Sequence, residues 1–216
     1  MSSQALQGLR VLDLTTGPAG GIATMILADF GAEVLVVEND EFDPLAQMPS
    51  ARMWRRGKRS MGLDLDDARG METFLSLCGG ADVLMVNWRQ SALERKALDF
   101  ERMHERFPHL VYCHITGFGS RGPCAEFPGY EHVAAAYSGR MNVFAGIVDR
   151  DGPVFSALQV GVHACAQSAA AGTLAALLER GDDGEGRLVE TSMLQGMLPY
   201  EQGGMLGIQS LSLIHI

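Results

Sequence analysis

Between Leu9 and Asn39 the hydrophobic period changes from strand to helix and back, and most of the chain repeats that alternation. Leu9, Val11, Leu12 and Leu14 form an apolar run of strand length, ended by the turn chemistry of Thr15-Thr16-Gly17-Pro18. From Gly20 to Phe30 the apolar residues Ile22, Met25, Ile26 and Phe30 recur at helical spacing, and Gly31 stands where a C-terminal cap belongs. Glu33 to Val37 reads as a second strand. Two apolar strands flanking one helix predict a βαβ unit with a right-handed crossover and a parallel sheet buried on both faces. Its open end, Thr15 to Gly21, faces whatever ligand the protein holds.

Farther along, Met61 to Leu65 is strand-like. Asp66 and Asp67 cap a helix through Leu77, which carries Met71, Phe74 and Leu77 at helical spacing and is ended by Gly79-Gly80. A strand from Ala81 to Val86 leads into Asn87-Trp88-Arg89. Helical stretches follow around Ala92 to Lys96 and from Asp99 to Pro108, then a strand from Leu110 to Thr116 and a loop from Gly117 to Pro123. Tyr130 to Met141 reads as a helix, Asp149 to Pro153 as a turn, and His163 to Arg180 as an Ala-rich helix. Gly181 to Gly186 is a turn, Arg187 to Glu190 a strand, and Thr191 to Tyr200 a capped helix. The alternation predicts an α/β domain, a Rossmann-like doubly wound parallel sheet. In such a sheet ligands bind beyond the carboxyl ends of the strands, where Thr15 to Pro18, Asn87 to Arg89 and Thr116 to Gly119 fall.

The first loop admits two readings. Glu38 closes the second strand where an acidic residue would hold a ribose hydroxyl, as in a dinucleotide site. No register of Gly17, Gly20 and Gly21 gives G-x-G-x-x-G, because Ala19 and Ile22 fall where glycines are needed. The alternative is a glycine-rich turn that lets the helix approach the strand.

Charge changes the picture at one place. Arg52, Arg55, Arg56, Lys58 and Arg59 crowd around Gly57, five of seventeen basic residues in a chain of net charge −9. Such a run is either a solvated face or an anion site in which backbone amides join. The acidic balance disfavours nucleic acid or an anionic membrane as a general partner. With 216 residues, 47% hydrophobic and 20% charged, the composition is that of a soluble globular protein. Cys78, Cys113, Cys124 and Cys165 show no C-x-x-C spacing and no signal peptide precedes them, so reduced thiols and a cytoplasmic setting are expected. Ala164 to Leu178 is too short an apolar stretch to span a bilayer. His104, His109, Cys113 and His114 lack a metal-ligand spacing, and no metal is expected. Gly203 to Ile216 has no cap, turn or charge to finish a domain and reads as a chain cut off.

With these elements placed, the chain resembles family III CoA-transferases, the group of formyl-CoA transferase, carnitine CoA-transferase and 2-methylacyl-CoA racemase. The likeness runs from about Leu6 to Met197 and rests on the order and spacing of several stretches. They are LQGLRVLDLTTGPAG, ILADFGAEVLVVE, RRGKRSMGLDL, ADVLMVNWRQSALERKALDF, PHLVYCHITGFGSRGPCAEFPGYEHVAAAYSG and ALLERGDDGEGRLVETSMLQGML. The resemblance implies a CoA-binding large domain over residues 1–197, the start of a truncated linker or small-domain region at 198–216, and a homodimer of interlocked chains. It implies coenzyme A as ligand, with acyl-CoA and a small carboxylate as substrates.

Carried over residue by residue, the family's CoA contacts fall on Gly17, Pro18, Arg56, Lys58, Arg59, Asn87, Trp88 and Arg95, with Tyr130 near the acyl group. The chemistry agrees, because CoA phosphates need Arg or Lys donors and adenine lies well on an aromatic surface. The family's nucleophile is an aspartate that attacks the acyl-CoA thioester. Its position here is Val162, and no Asp or Glu lies between Gly152 and Leu178. The racemase subgroup's histidine falls on Tyr130. Tyr130, Glu131 and His163 are the remaining catalytic candidates; Tyr130 is equally readable as a packing residue, and a lone histidine near a helix start is more often a cap or a core residue. Three functions follow: a family III acyl-CoA enzyme, a catalytically degenerate CoA-binding paralogue, and a nicotinamide-dependent Rossmann oxidoreductase that the glycine spacing disfavours.

Overall fold

The computed structural model describes residues 4–38, 48–143 and 147–200, the side chain of Asp182 excepted. Most of the Asp40 to Pro49 loop and of the 198–216 region lies outside the described residues. Six strands form one parallel sheet: β1 (Arg10–Leu14), β2 (Glu33–Glu38), β3 (Arg59–Gly62), β4 (Val83–Val86), β5 (Val111–Thr116) and β6 (Leu188–Ser192). Their order is β3-β2-β1-β4-β5-β6. The chain builds outward from β1 to β3 and then crosses back to β4 on the other side of β1, so the direction of winding reverses between β1 and β4. That reversal opens a crevice at the carboxyl ends of the two strands.

Alternation along the strands divides the core into two layers. Val11, Val34, Val83, Met85, Val111, Cys113 and Ile115 face the layer of α1 (Pro18–Asp29), α6 (Glu131–Tyr137) and α8 (Val160–Asp183). Leu12, Leu14, Leu84, Val86, Leu110 and Tyr112 face α3 (Ala68–Gly79), α4 (Gln90–Arg95) and α5 (Phe100–Arg106). Asp67 caps α3 by accepting the amides of Arg69 and Gly70, and Asp99 caps α5 by accepting that of Arg102, as the sequence predicts.

Several boundaries differ from expectation for physical reasons. β3 begins at Arg59 rather than Met61 and is exposed throughout. It is an edge strand, whereas Leu65, read as strand, turns in beneath α3 and is buried. The short helix α2 (Ala51–Trp54) has no apolar period to announce it; Trp54 anchors it against α1, where a Cβ on Gly21 would lie 2.3 Å from the indole. The helix expected from Tyr130 to Met141 is two helices, α6 and α7 (Arg140–Val143), parted at Gly139 with φ +80°. Thr191 and Ser192 extend β6, and it is Ser192 that caps the helical residues 193–200, its hydroxyl accepting the Gln195 amide at 3.1 Å.

α8 is longer than its Ala-rich core suggests, running 24 residues to the left-handed Gly184. By length and composition its span Val160–Gly181 would suffice to cross a membrane, but half of that span is buried inside the domain. Its small residues pack against α1, β5 and β6, the position of a core helix.

Candidate functional site

The crevice at the switch point is a cleft of about 510 Å³. Its floor is Thr16 to Ala19, where β1 enters α1, and Gly17 makes the turn with φ +73°. Asn87, at the end of β4, fastens that floor: its Oδ1 accepts the Thr16 amide at 3.0 Å and its Nδ2 donates to the Thr16 carbonyl at 2.6 Å. These two bonds hold the two strand ends together and leave the second Nδ2 hydrogen of Asn87 available beside the cleft. Gly117 and Gly129 meet backbone to backbone, a Cβ on Gly117 lying 2.5 Å from the Gly129 Cα. This contact brings the segment Phe127 to Tyr130 up as a wall.

The glycines of the first loop serve packing. A Cβ on Gly20 would lie 2.1 Å from the Thr15 hydroxyl, and Gly21 accommodates Trp54. Glu38, the candidate ribose ligand of a dinucleotide site, is paired with Arg55 at 2.7 Å.

Of the sequence-derived residues, Gly17, Pro18, Asn87, Trp88, Arg95 and Tyr130 all line the cleft. The basic run does not. Arg56 forks onto Asp29, with contacts of 2.5 and 3.2 Å, and Arg59 lies 3.7 Å from Glu33. Lys58 is buried against Asp13. Four of its five cations are in internal pairs with residues of β1, α1 and β2, and these acidic partners are scattered singly through the sequence where no local signal links them; Arg52 is exposed and, among the described residues, in no ion pair. Two further cations line the cleft, Arg89 and Lys96; Arg89 belongs to the Asn87 to Arg89 strand end that the sequence places on the ligand side, although it is not among the contacts carried over from the family. Lys96 is held by Asp66. Arg89 and Arg95 are exposed and, among the described residues, neither is in an ion pair.

The catalytic candidates gather unequally. Glu131 is 6% exposed, and its carboxylate accepts the amides of Gly161 at 3.0 Å and Val162 at 2.7 Å, closing the N-terminus of α8. Val162 itself is buried in the core. Tyr130 stands half out of the cleft and stacks on His132, the ring centroids 5.8 Å apart. His163 is exposed and is not among the lining residues. Cys165, one turn along from Val162, is no substitute nucleophile: burial pushes its thiol up to about 12. Among the described residues no three His, Cys, Asp or Glu side chains gather as a metal would require.

Residues 6–207 match the model of CoA-transferase family III. The chain belongs to that family. It is 32% identical over 207 residues to succinyl-CoA:glutarate CoA-transferase of Mus musculus, covering 91% of this chain and 47% of that protein. It is 34% identical to formyl-CoA:oxalate CoA-transferase of Streptomyces coelicolor, covering 92% of this chain and 50% of that one. The chain thus spans about half the length of these curated relatives. Among solved structures, a CAIB/BAIF family protein from Brucella suis superposes with a TM-score of 0.87 at 27% identity, over 97% of this chain and 58% of that one. Rv3272 from M. tuberculosis gives 0.87 at 29% identity, over 95% and 59%.

Proposed function

We propose that this chain is the CoA-binding part of an acyl-CoA:carboxylate CoA-transferase. The observation that carries the reading is the cleft at the β1/β4 switch point, where Arg89 and Arg95 stand beside Trp88 and Tyr130 without an ion partner among the described residues. A CoA thioester presents phosphates, an adenine and an acylated pantetheine arm. The phosphates suit guanidinium forks, the adenine suits the indole, and the Gly117–Gly129 wall leads the arm toward Tyr130. Acyl-CoA and a small carboxylate are the substrates, as the names of the relatives suggest, and an interlocked homodimer in the cytoplasm belongs to the same proposal.

A second reading has its own support. In the resembling enzymes an aspartate attacks the thioester, and at its position Val162 offers no carboxylate, while the Glu131 carboxylate is committed to two backbone amides. On this reading the chain binds CoA without forming an acyl-enzyme. Titration with CoA and with NAD tests the first claim: CoA binding is expected, and binding of NAD alone would remove it. Incubation with acyl-CoA followed by hydroxylamine or borohydride trapping and peptide mass spectrometry separates the two readings. No modified carboxylate is expected, and an adduct at Glu131, Asp149 or Asp151 would identify an active nucleophile.

A further inference from the structure

Asp13, Thr15, Thr24 and Lys58 form a closed polar network inside an apolar layer. Asp13 lies on the α1 face of β1, 2% exposed, and the Lys58 side chain is 3% exposed. Asp13 Oδ1 accepts from the Thr15 amide at 3.0 Å and the Thr15 hydroxyl at 2.5 Å. Its Oδ2 accepts from the Thr24 hydroxyl at 2.5 Å and from Lys58 Nζ at 3.1 Å. Lys58 Nζ also meets the Gly21 carbonyl at 2.8 Å and the Thr24 hydroxyl at 2.5 Å. An ammonium has three N–H groups, and Lys58 has three internal partners. None is left for a ligand. Burial draws the Lys58 ammonium below its ordinary pKa and Asp13 opposes that pull, so the two charges hold each other in a place where either alone would be costly. The residue they fix, Thr15, directly precedes the cleft floor.

We propose that Lys58 is a positioning residue for the ligand turn: through Asp13 it locks Thr15, and with it the Thr16–Pro18 floor of the cleft, instead of meeting a ligand phosphate. The inference deepens the CoA reading and rests on it. A residue that shapes the floor affects every ligand of the cleft alike, whereas one that touches phosphate discriminates among them. The test is calorimetric titration of wild type and Lys58→Met with CoA, dephospho-CoA and pantetheine, a series that loses the 3′-phosphate and then the diphosphate together with the adenosine. The expected result is a loss of about tenfold, the scale of removing a supporting contact behind a binding group, by the same factor for all three ligands. A loss that grows with phosphate content would overturn the proposal, as would unchanged affinity.

If wild type binds none of the three, the CoA reading fails, and amide hydrogen exchange of the ligand-free chain decides on Lys58 separately. Faster exchange at Thr15 to Gly17 in Lys58→Met, with α3 to α5 unchanged, supports positioning; unchanged exchange at the turn contradicts it. Should Lys58→Met fail to fold, Thr24→Val removes the hydroxyl that bridges Lys58 to Asp13 and is read in the same way.

Discussion

The carboxylate of Glu131 receives the backbone amide of Val162 at 2.7 Å, so the first turn of α8 is held by a carboxylate from another helix. The same group takes the Gly161 amide at 3.0 Å, satisfying two donors that begin α8 and have no partner within the helix. Helix α8 therefore starts where Glu131 places it, at the inner side of the wall that carries Tyr130.

Replacing Glu131 by alanine leaves both amides buried without an acceptor. We expect the unfolding free energy to fall by about 1.5–3 kcal/mol, the scale of hydrogen bonds to a charged group, and Glu131→Gln, which keeps one acceptor, to fall less. Chemical denaturation measures both. An unchanged midpoint for Glu131→Ala would show that α8 does not depend on this cap.

Gly20 and Gly181 are both helical glycines, and alanine should act oppositely at the two. At Gly20 a Cβ would sit 2.1 Å from the Thr15 hydroxyl, whereas at Gly181 nothing lies within 4 Å. Gly20→Ala is expected to cost about 1–3 kcal/mol through overpacking, and Gly181→Ala to gain up to about 1 kcal/mol through helix propensity. Thermal denaturation of the two variants gives the signs directly. A tolerated Gly20→Ala would mean that the glycine-rich turn is not shaped by Thr15.

The layout of the sheet and the cleft floor was legible in the sequence for a physical reason. A parallel strand buried on both faces is a run of apolar residues, the loop at its carboxyl end is abrupt, and Thr15 to Pro18, Asn87 to Arg89 and Thr116 to Gly119 mark three such ends. What was illegible depends on partners distant in sequence. The basic run around Gly57 looks like an anion site because Asp13, Asp29, Glu33 and Glu38, which pair with four of its five cations, are spread over α1 and its flanking strands. Short α2 carries no period, and the break at Gly139 hides inside a continuous helical pattern. Glu131 was visible as a carboxylate beside Tyr130, but its grip on α8 exists only once α6 and α8 are packed together.

Stability should carry a histidine signature at mildly acid pH. Burial holds the His114 pKa below the ordinary histidine value, against the raising effects of the Trp88 carbonyl, 2.8 Å from Nε2, and of Glu190. Near pH 6.5 the unfolded chain therefore binds more protons than the folded one, and stability is lost as pH falls through that value toward the folded pKa. The slope from this group is at most about 1.4 kcal/mol per pH unit. Denaturation at pH 7.5, 6.5 and 5.5 should show a shallower dependence in His114→Gln than in wild type. Parallel curves would contradict the assignment.

Binding should separate the two groups of arginines. Arg95→Ala, in the cleft, is expected to weaken CoA binding by about 1.5–3 kcal/mol, the scale of a charge-assisted hydrogen bond. Arg56→Ala, which breaks an exposed pair with Asp29, should change it by less than about 0.5 kcal/mol. Calorimetric titration orders the two, and a larger effect at Arg56 would restore the basic run as the phosphate site.

The location of the CoA site is tested most directly by amide hydrogen exchange of the chain with and without saturating CoA, resolved to peptides. Protection is expected at residues 15–19, 87–96 and 116–130, the three strand ends that enclose the cleft, with residues 52–60 unaffected. Protection confined to residues 52–60, or none at saturating CoA, would contradict the account.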